Sequence, residues 1–177
     1  MNRTEILIGG VGGQGVVLSG ILLGTAATLF EGKKAVQTQS YSSELRGGST
    51  RAEVIISEES ISDPQVRRPD ILIALAEEAI PRYVDRIKSK GLLVIDSDLV
   101  KGAKPMDYEI LSVPGTSIAD KEMGNIIVAN LIILGALIKK TGLLSVKSME
   151  KAIEVSVPKK VTGLNLNAFR RGLELSV

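Results

Sequence analysis

Three glycines at a fixed spacing are the first residues with chemistry to offer. Gly10, Gly12 and Gly15 match G-x-G-x-x-G, with Gly13 and Gln14 inside the pattern. Between a strand and a helix, such glycines allow a sharp turn and let a ligand approach the backbone. They also let the helix lie close to the strand. The free N–H groups opening that helix then favour a negative group. Two readings stand side by side: a turn at which something binds or docks, and a turn that only packs helix on strand. A dinucleotide site adds an acid about 20 residues further on, at the end of the second strand, to hold a ribose. Val36 to Tyr41 contain no carboxylate and Glu31 precedes that strand, so NAD is disfavoured. No Gly-Lys-Ser/Thr follows the glycines, which sets the P-loop reading aside.

A second polar cluster runs from Gln37 to Arg51, QTQSYSSELRGGSTR. It gathers Gln39, Ser40, Tyr41, Glu44 and Arg46 beside Gly47 and Gly48. Arg46 could clamp a phosphate or carboxylate through two parallel N–H groups, or pair with Glu44 or with a partner's acid. The alternative is a solvated hairpin tip. In a parallel sheet the second strand ends beside the first, which places this cluster near the glycine turn. A third group, Asp96, Ser97 and Asp98, follows an apolar run, where open α/β sheets place ligands. It reads as a carboxylate pair for acid–base or metal work, or as a capped turn, the commoner use.

Absences narrow the chemistry. The chain has neither cysteine nor histidine. It therefore lacks thiolate ligands for an iron–sulfur cluster, a thiol nucleophile, and the commonest general base. If it belongs to an enzyme, much of the chemistry happens on another chain. Its 22 basic and 20 acidic residues nearly cancel, and three Tyr, two Phe and no Trp make poor base-stacking platforms, so nucleic acid is not expected. The apolar stretches Val16–Phe30 and Ile126–Ile138 fall short of the ~20 residues that span a bilayer. A soluble, cytoplasmic protein without a membrane segment is the expectation.

These residues need elements to hold them. Ile6 to Ile8 reads as a short buried strand, and Val16 to Phe30 as a helix of about four turns closed by Gly32. Val36–Tyr41 and Arg51–Ser57 read as strands paired antiparallel through a short connection. Ile71–Leu75, a helix over Glu77–Lys90 ended by Gly91, and Leu92–Asp96 make a βαβ unit with parallel strands. Tyr108–Val113 is a last strand. A helix from about Met123 to Lys140, apolar on nearly every face, is covered on both sides or half of it meets a partner chain. Ser145 caps a short helix that Pro158 breaks, and Asn165 or Asn167 caps a final one. The expected fold is a single α/β domain over residues 1–177. It is Rossmann-like, with a mostly parallel open sheet flanked by helices, one antiparallel strand or hairpin, and a helical C-terminus.

Read in order, GGQGVVLSGILLG, QTQSYSSELRGGSTRAEVIIS, PDILIALAEEA, LLVIDSDLV and Met123-Gly124-Asn125 resemble the gamma subunit of 2-oxoacid:ferredoxin oxidoreductases. The resemblance extends from about Gly9 to Phe169, and QTQSY is most similar to the 2-oxoglutarate branch. It implies a subunit of a multi-chain thiamine-diphosphate enzyme that converts a 2-oxoacid and coenzyme A to an acyl-CoA, carbon dioxide and reduced ferredoxin. Thiamine diphosphate, its Mg and the iron–sulfur clusters are then expected on alpha, beta and ferredoxin-like delta subunits, with coenzyme A as co-substrate. No catalytic residue, metal or cofactor is expected on this chain alone. The resemblance makes Gly10, Gly12, Gly13, Gln14 and Gly15, with Gln39 to Tyr41, Glu44 and Arg46 to Gly48, the ligand- or partner-facing set. One departure is plain. Ser42 and Ser43 stand where the family has Gly-Pro, and serine neither fixes φ nor favours positive φ. The rival readings are a stand-alone nucleotide-binding or regulatory module, and a subunit of a pyruvate- or aryl-pyruvate-type enzyme.

Overall fold

The structure, a computed structural model, describes residues 3–41 and 48–176. Strands β1 (Arg3–Val11), β2 (Lys34–Tyr41), β3 (Ser49–Ser57), β4 (Ile71–Ala74), β5 (Gly91–Asp96) and β6 (Tyr108–Val113) form one sheet in the order β2-β3-β1-β4-β5-β6. β1, β4, β5 and β6 run parallel, while β3 is antiparallel to both of its neighbours. The expected antiparallel pairing of β2 with β3 is present. However, β3 inserts between β2 and β1, so the second strand lies on the sheet edge rather than beside the first.

Alternation along the strands divides the core. Ile6, Ile8, Val54, Ile73 and Val94 face one side, and Leu7, Ile55, Leu72 and Leu93 face the other. The first side carries α1 (Val16–Thr25, continuing as a π-helical turn over Ala26–Phe30), α3 (Gly115–Met123), α4 (Ala129–Thr141), α5 (Val146–Ser156) and α6 (Lys159–Leu173). Among the described residues, the second is covered by α2 (Ala79–Tyr83) and by loops through Val66, Ile87 and Val100.

Three helix expectations need correction. The helix expected over Glu77–Lys90 stops at Tyr83, and a 3-10 turn over Val84–Arg86 follows. The chain beyond bonds to the preceding loop instead of to itself, with Lys88 N–H donating to Pro69 O at 3.0 Å. The left-handed residue there is Lys90, with φ of 60°, while Gly91 opens β5. Secondly, the long helix begun at Met123 is two helices. Gly124 closes α3 with φ of 64°, and Asn125 accepts from Ile127 N to start a 3-10 turn that leads into α4. Thirdly, α6 begins directly after Pro158, whose fixed φ suits a helix start. Asn165 lies inside that helix with its Nδ2 donating to Val161 O at 2.8 Å, so neither it nor Asn167 is a cap.

The greasy stretch of α4 is covered by its own chain. Every residue from Asn130 to Ile138 is buried. One side meets the sheet and the other meets α6, where Gly135 and Gly172 let the two backbones approach. Among the described residues, no helix is long and apolar enough to cross a membrane.

Candidate binding crevice at the glycine turn

β1 ends at Val11, and the glycine turn carries the chain into α1. Gly13 and Gly15 have φ of 92° and 72°, a backbone region that side chains with a Cβ disfavour. Gln14 fastens the turn from within. Its Oε1 accepts from Val11 N at 2.8 Å, and its Nε2 donates to Leu75 O at 2.8 Å, just past β4. The side chain is thus committed to the fold, and what Gln14 shows outward is backbone. Gly10 leaves the room it needs, because a Cβ there would lie 2.6 Å from Gln14 Oε1.

A second tether comes from α4. Asn130 is 2% exposed, and its Nδ2 donates to Gly15 O at 3.3 Å and to Ser19 Oγ at 3.1 Å. A Cβ on Gly15 would lie 2.4 Å from that nitrogen, so glycine is required there by sterics as well as by φ. Gly15 supplies no side-chain cap to α1, and the opening N–H groups of the helix keep their affinity for an acceptor. By contrast, among the described residues nothing lies within 4 Å of a Cβ built on Gly12 or Gly13, and both residues are exposed.

The turn borders a crevice of about 350 Å³ at the C-terminal ends of β1, β4 and β5. Its apolar walls include Leu75, Leu99 and Ile133, with Ile126 and Ile127 at 58% and 64% exposure on the rim. Asp96 forms part of the far wall at 2% exposure. Its Oδ2 accepts from Thr116 Oγ1 at 2.7 Å and Thr116 N at 3.1 Å, and its Oδ1 accepts from Asp98 N at 3.1 Å. Asp98 Oδ2 accepts from Ser117 N at 2.6 Å. Burial pushes the Asp96 carboxyl above its ordinary range, while the Thr116 hydroxyl and the Asp98 N–H oppose the rise. Asp96 Oδ1 closes the turn after β5 and the other two acceptor oxygens serve the start of α3, so the capped turn, not an acid–base pair, describes the two aspartates.

The second polar cluster divides. Gly48 reaches the glycine turn, its O accepting from Gly12 N at 3.2 Å, and Ser49 Oγ accepts from Arg82. Gln39, Ser40 and Tyr41 are exposed on the far edge of the sheet, with Tyr41 in register with Gly10 across Thr50 of β3. Glu44, Arg46 and Gly47, with Ser42 and Ser43, lie outside the described residues. Arg51 faces Glu53 at 3.6 Å. Sequence reasoning missed Asn130 as the second tether. Its one signal was a polar residue alone in an apolar run.

A larger cavity of about 770 Å³ opens at the opposite end of the sheet, among Thr4, Lys33, Asp70, Lys88 and Leu143. Its Lys88 and Lys33 ammonium groups are paired, with Asp70 at 2.9 Å and Glu31 at 2.8 Å. The smaller crevice is the better functional candidate. It has the open helix start, the exposed glycine backbone and the strand ends where such sheets bind ligands.

Comparison with known proteins agrees with this architecture. Residues 5–175 match the family described as pyruvate ferredoxin/flavodoxin oxidoreductase. The chain is 47% identical over 176 residues to the 2-oxoglutarate synthase subunit KorC of Methanocaldococcus jannaschii, covering 98% of this chain and 94% of that one. The gamma subunit of a keto/oxoacid ferredoxin oxidoreductase from Geobacter sulfurreducens superposes with a TM-score of 0.85 at 40% identity, over 97% of this chain and 96% of that one. The 2-oxoglutarate:ferredoxin oxidoreductase of Magnetococcus marinus, solved with 2-oxoglutarate, coenzyme A and succinyl-CoA bound, contains the same fold within 31% of its chain (TM-score 0.86, 24% identity). The chain belongs to the pyruvate ferredoxin/flavodoxin oxidoreductase family.

Proposed function

We propose that this chain is the non-catalytic gamma subunit of a cytoplasmic, thiamine-diphosphate-dependent 2-oxoglutarate:ferredoxin oxidoreductase. The assembled enzyme decarboxylates the 2-oxoacid and passes the acyl group to coenzyme A, and the released electrons reduce ferredoxin. The observation that carries the reading is near-complete, end-to-end likeness to 2-oxoglutarate synthase subunits in a chain without cysteine or histidine. Alpha and beta subunits hold the thiamine diphosphate with its Mg, and a delta subunit carries the clusters. The exposed backbone of Gly12 and Gly13, with Ile126 and Ile127 beside it, is the surface this chain presents to the working parts of the assembly. The tethers at Gln14 and Asn130 keep that surface in one shape.

Coexpression with alpha, beta and delta subunits of such an enzyme tests the reading. The purified assembly is expected to be brown and to reduce ferredoxin with 2-oxoglutarate and coenzyme A, and to lose that activity without this chain. The isolated chain is expected to be colourless and inactive. Dye reduction by the pure, metal-free chain would overturn the proposal, as would full activity of an assembly lacking it. A strong preference for pyruvate or an aryl-pyruvate would move it to another substrate branch.

A further inference from the structure

The cavity of about 770 Å³ at the end of the sheet away from the glycine turn has the size of a small-molecule site. Its floor is apolar. Ile56 of β3, Ile71 of β4 and Leu92 of β5 line it, each no more than 8% exposed. Lys33, Lys88 and Lys90 line its open side. Most acceptors in the lining are already engaged. Asp70 Oδ1 accepts from Lys88 at 2.9 Å and its Oδ2 from Glu5 N at 2.8 Å, while Leu143 O accepts from Lys33 Nζ at 3.3 Å. Glu31 neutralises Lys33. An ammonium can donate several hydrogen bonds, so Lys88 keeps donors to spare.

Two charges in the lining have no ion-pair partner among the described residues, Lys90 and the exposed Glu58. They do not answer each other. Glu58 follows β3 and Lys90 precedes β5, with β1 and β4 between, which sets them about 14 Å apart at ordinary strand spacing. The β5 end of the cavity therefore carries unanswered positive charge. Lys90 is also the one described residue other than glycine with positive φ, at 60°. Glycine would sit there with less strain, and strained residues of this kind gather at ligand clamps. The backbone is held in place by Lys90 N donating to Asp107 O at 2.6 Å and Gly91 N donating to Lys88 O at 2.9 Å.

We propose that this cavity is a second binding site, one that takes a small aliphatic carboxylate. Lys90 and the spare donors of Lys88 hold the carboxylate, and the tail lies along Leu92, Ile71 and Ile56. A tail of about eight carbons crosses this floor without reaching Glu58. The inference does not rest on the enzyme reading.

Octanoate is the probe, titrated into the isotopically labelled full chain while its amide resonances are followed. Saturable shifts are expected at Thr4, Gly91 and Leu143, and none at Gly12 or Gly13. Affinity should rise about fourfold per methylene from butanoate to octanoate, as burial of each added group requires. Octanol, with the same tail and no charge, should bind at least about tenfold more weakly. Lys90→Gln should weaken octanoate about tenfold with an unchanged melting curve, and Lys90→Arg should restore it. Lys160→Gln, an exposed lysine on α6 outside the lining, should change nothing. Shifts centred on the glycine turn would overturn the proposal, as would equal binding of octanoate and octanol or indifference to Lys90→Gln. Octanoate binding that disappears when the chain is copurified in its assembly would give the cavity to a partner chain and overturn it as well.

Discussion

At the crossing of α4 and α6, a Cβ on Gly135 would stand 2.1 Å from Phe169 O, and one on Gly172 would stand 2.0 Å from Ile132 O. At the glycine turn, a Cβ on Gly12 or Gly13 would meet nothing within 4 Å among the described residues. The crossing uses glycine to bring two backbones together, and the fold itself fills the space. The turn leaves its space open. The contrast also divides the G-x-G-x-x-G pattern internally. Gly10 and Gly15 belong with the crossing, since Gln14 and Asn130 occupy the volume a side chain would need. Gly12 does not. A glycine pattern thus contains structural members and an outward-facing member, and only their surroundings tell them apart.

The comparison breaks most readily at the crossing. Gly135→Ala inserts a methyl group against a backbone carbonyl that cannot rotate away, so the helices must separate. Overpacking of this kind costs about 3 kcal/mol. At roughly 2–4 °C per kcal/mol for a domain of this size, the melting temperature should fall by about 6–12 °C. Urea unfolding of the isolated chain checks it. A loss below about 1 kcal/mol would mean that the crossing is loose and that its glycines are not steric necessities.

A smaller effect is expected at the turn's inner tether. Gln14→Ala removes two hydrogen bonds, to Val11 N and Leu75 O. Each is worth about 1 kcal/mol net, giving a loss near ~2 kcal/mol. Amide exchange at Val11 should quicken alongside it. Unchanged protection at Val11 would show that the glycines hold the turn without Gln14.

How much of this was legible follows from the range of the interactions. Short apolar runs located β1, β4 and β5, because each is a pattern among neighbouring residues. The short connection gave the β2–β3 pairing for the same reason. The insertion of β3 beside β1 is a long-range choice, and local pattern carries no trace of it. The overlong α2 failed likewise, since its end is set by Lys88 bonding to Pro69 rather than by a local helix stop. Gly124-Asn125, by contrast, is a legible stop and start that the apolar run around it obscured. In the site, the glycine turn was visible, but Asn130 lies 115 residues from the Gly15 carbonyl it holds. No spacing rule reaches that far.

The smallest effect on folding is expected at Gly12, and it sharpens the comparison most. Its backbone is outside the left-handed region, and a Cβ there has nothing within 4 Å among the described residues. Gly12→Val should therefore change the stability of the isolated chain by no more than about 0.5 kcal/mol. Gly102 is the useful control. Its N–H donates to Glu77 Oε1 at 3.0 Å, and a Cβ there would press on that carboxylate, which also accepts from Lys101 N. Gly102→Val should cost about 1 kcal/mol, since Glu77 must move and a hydrogen bond is weakened. In the reconstituted assembly the order should reverse. If a partner or ligand backbone rests on the turn, an added isopropyl group separates the surfaces. A penalty of only about 1.4 kcal/mol would already lower affinity tenfold. Partner affinity and turnover of both variants, measured beside their melting curves, decide the matter. Normal assembly and activity with Gly12→Val would place this glycine with Gly10 and Gly15 as part of a connector, and the working surface would then lie along the rim at Ile126 and Ile127.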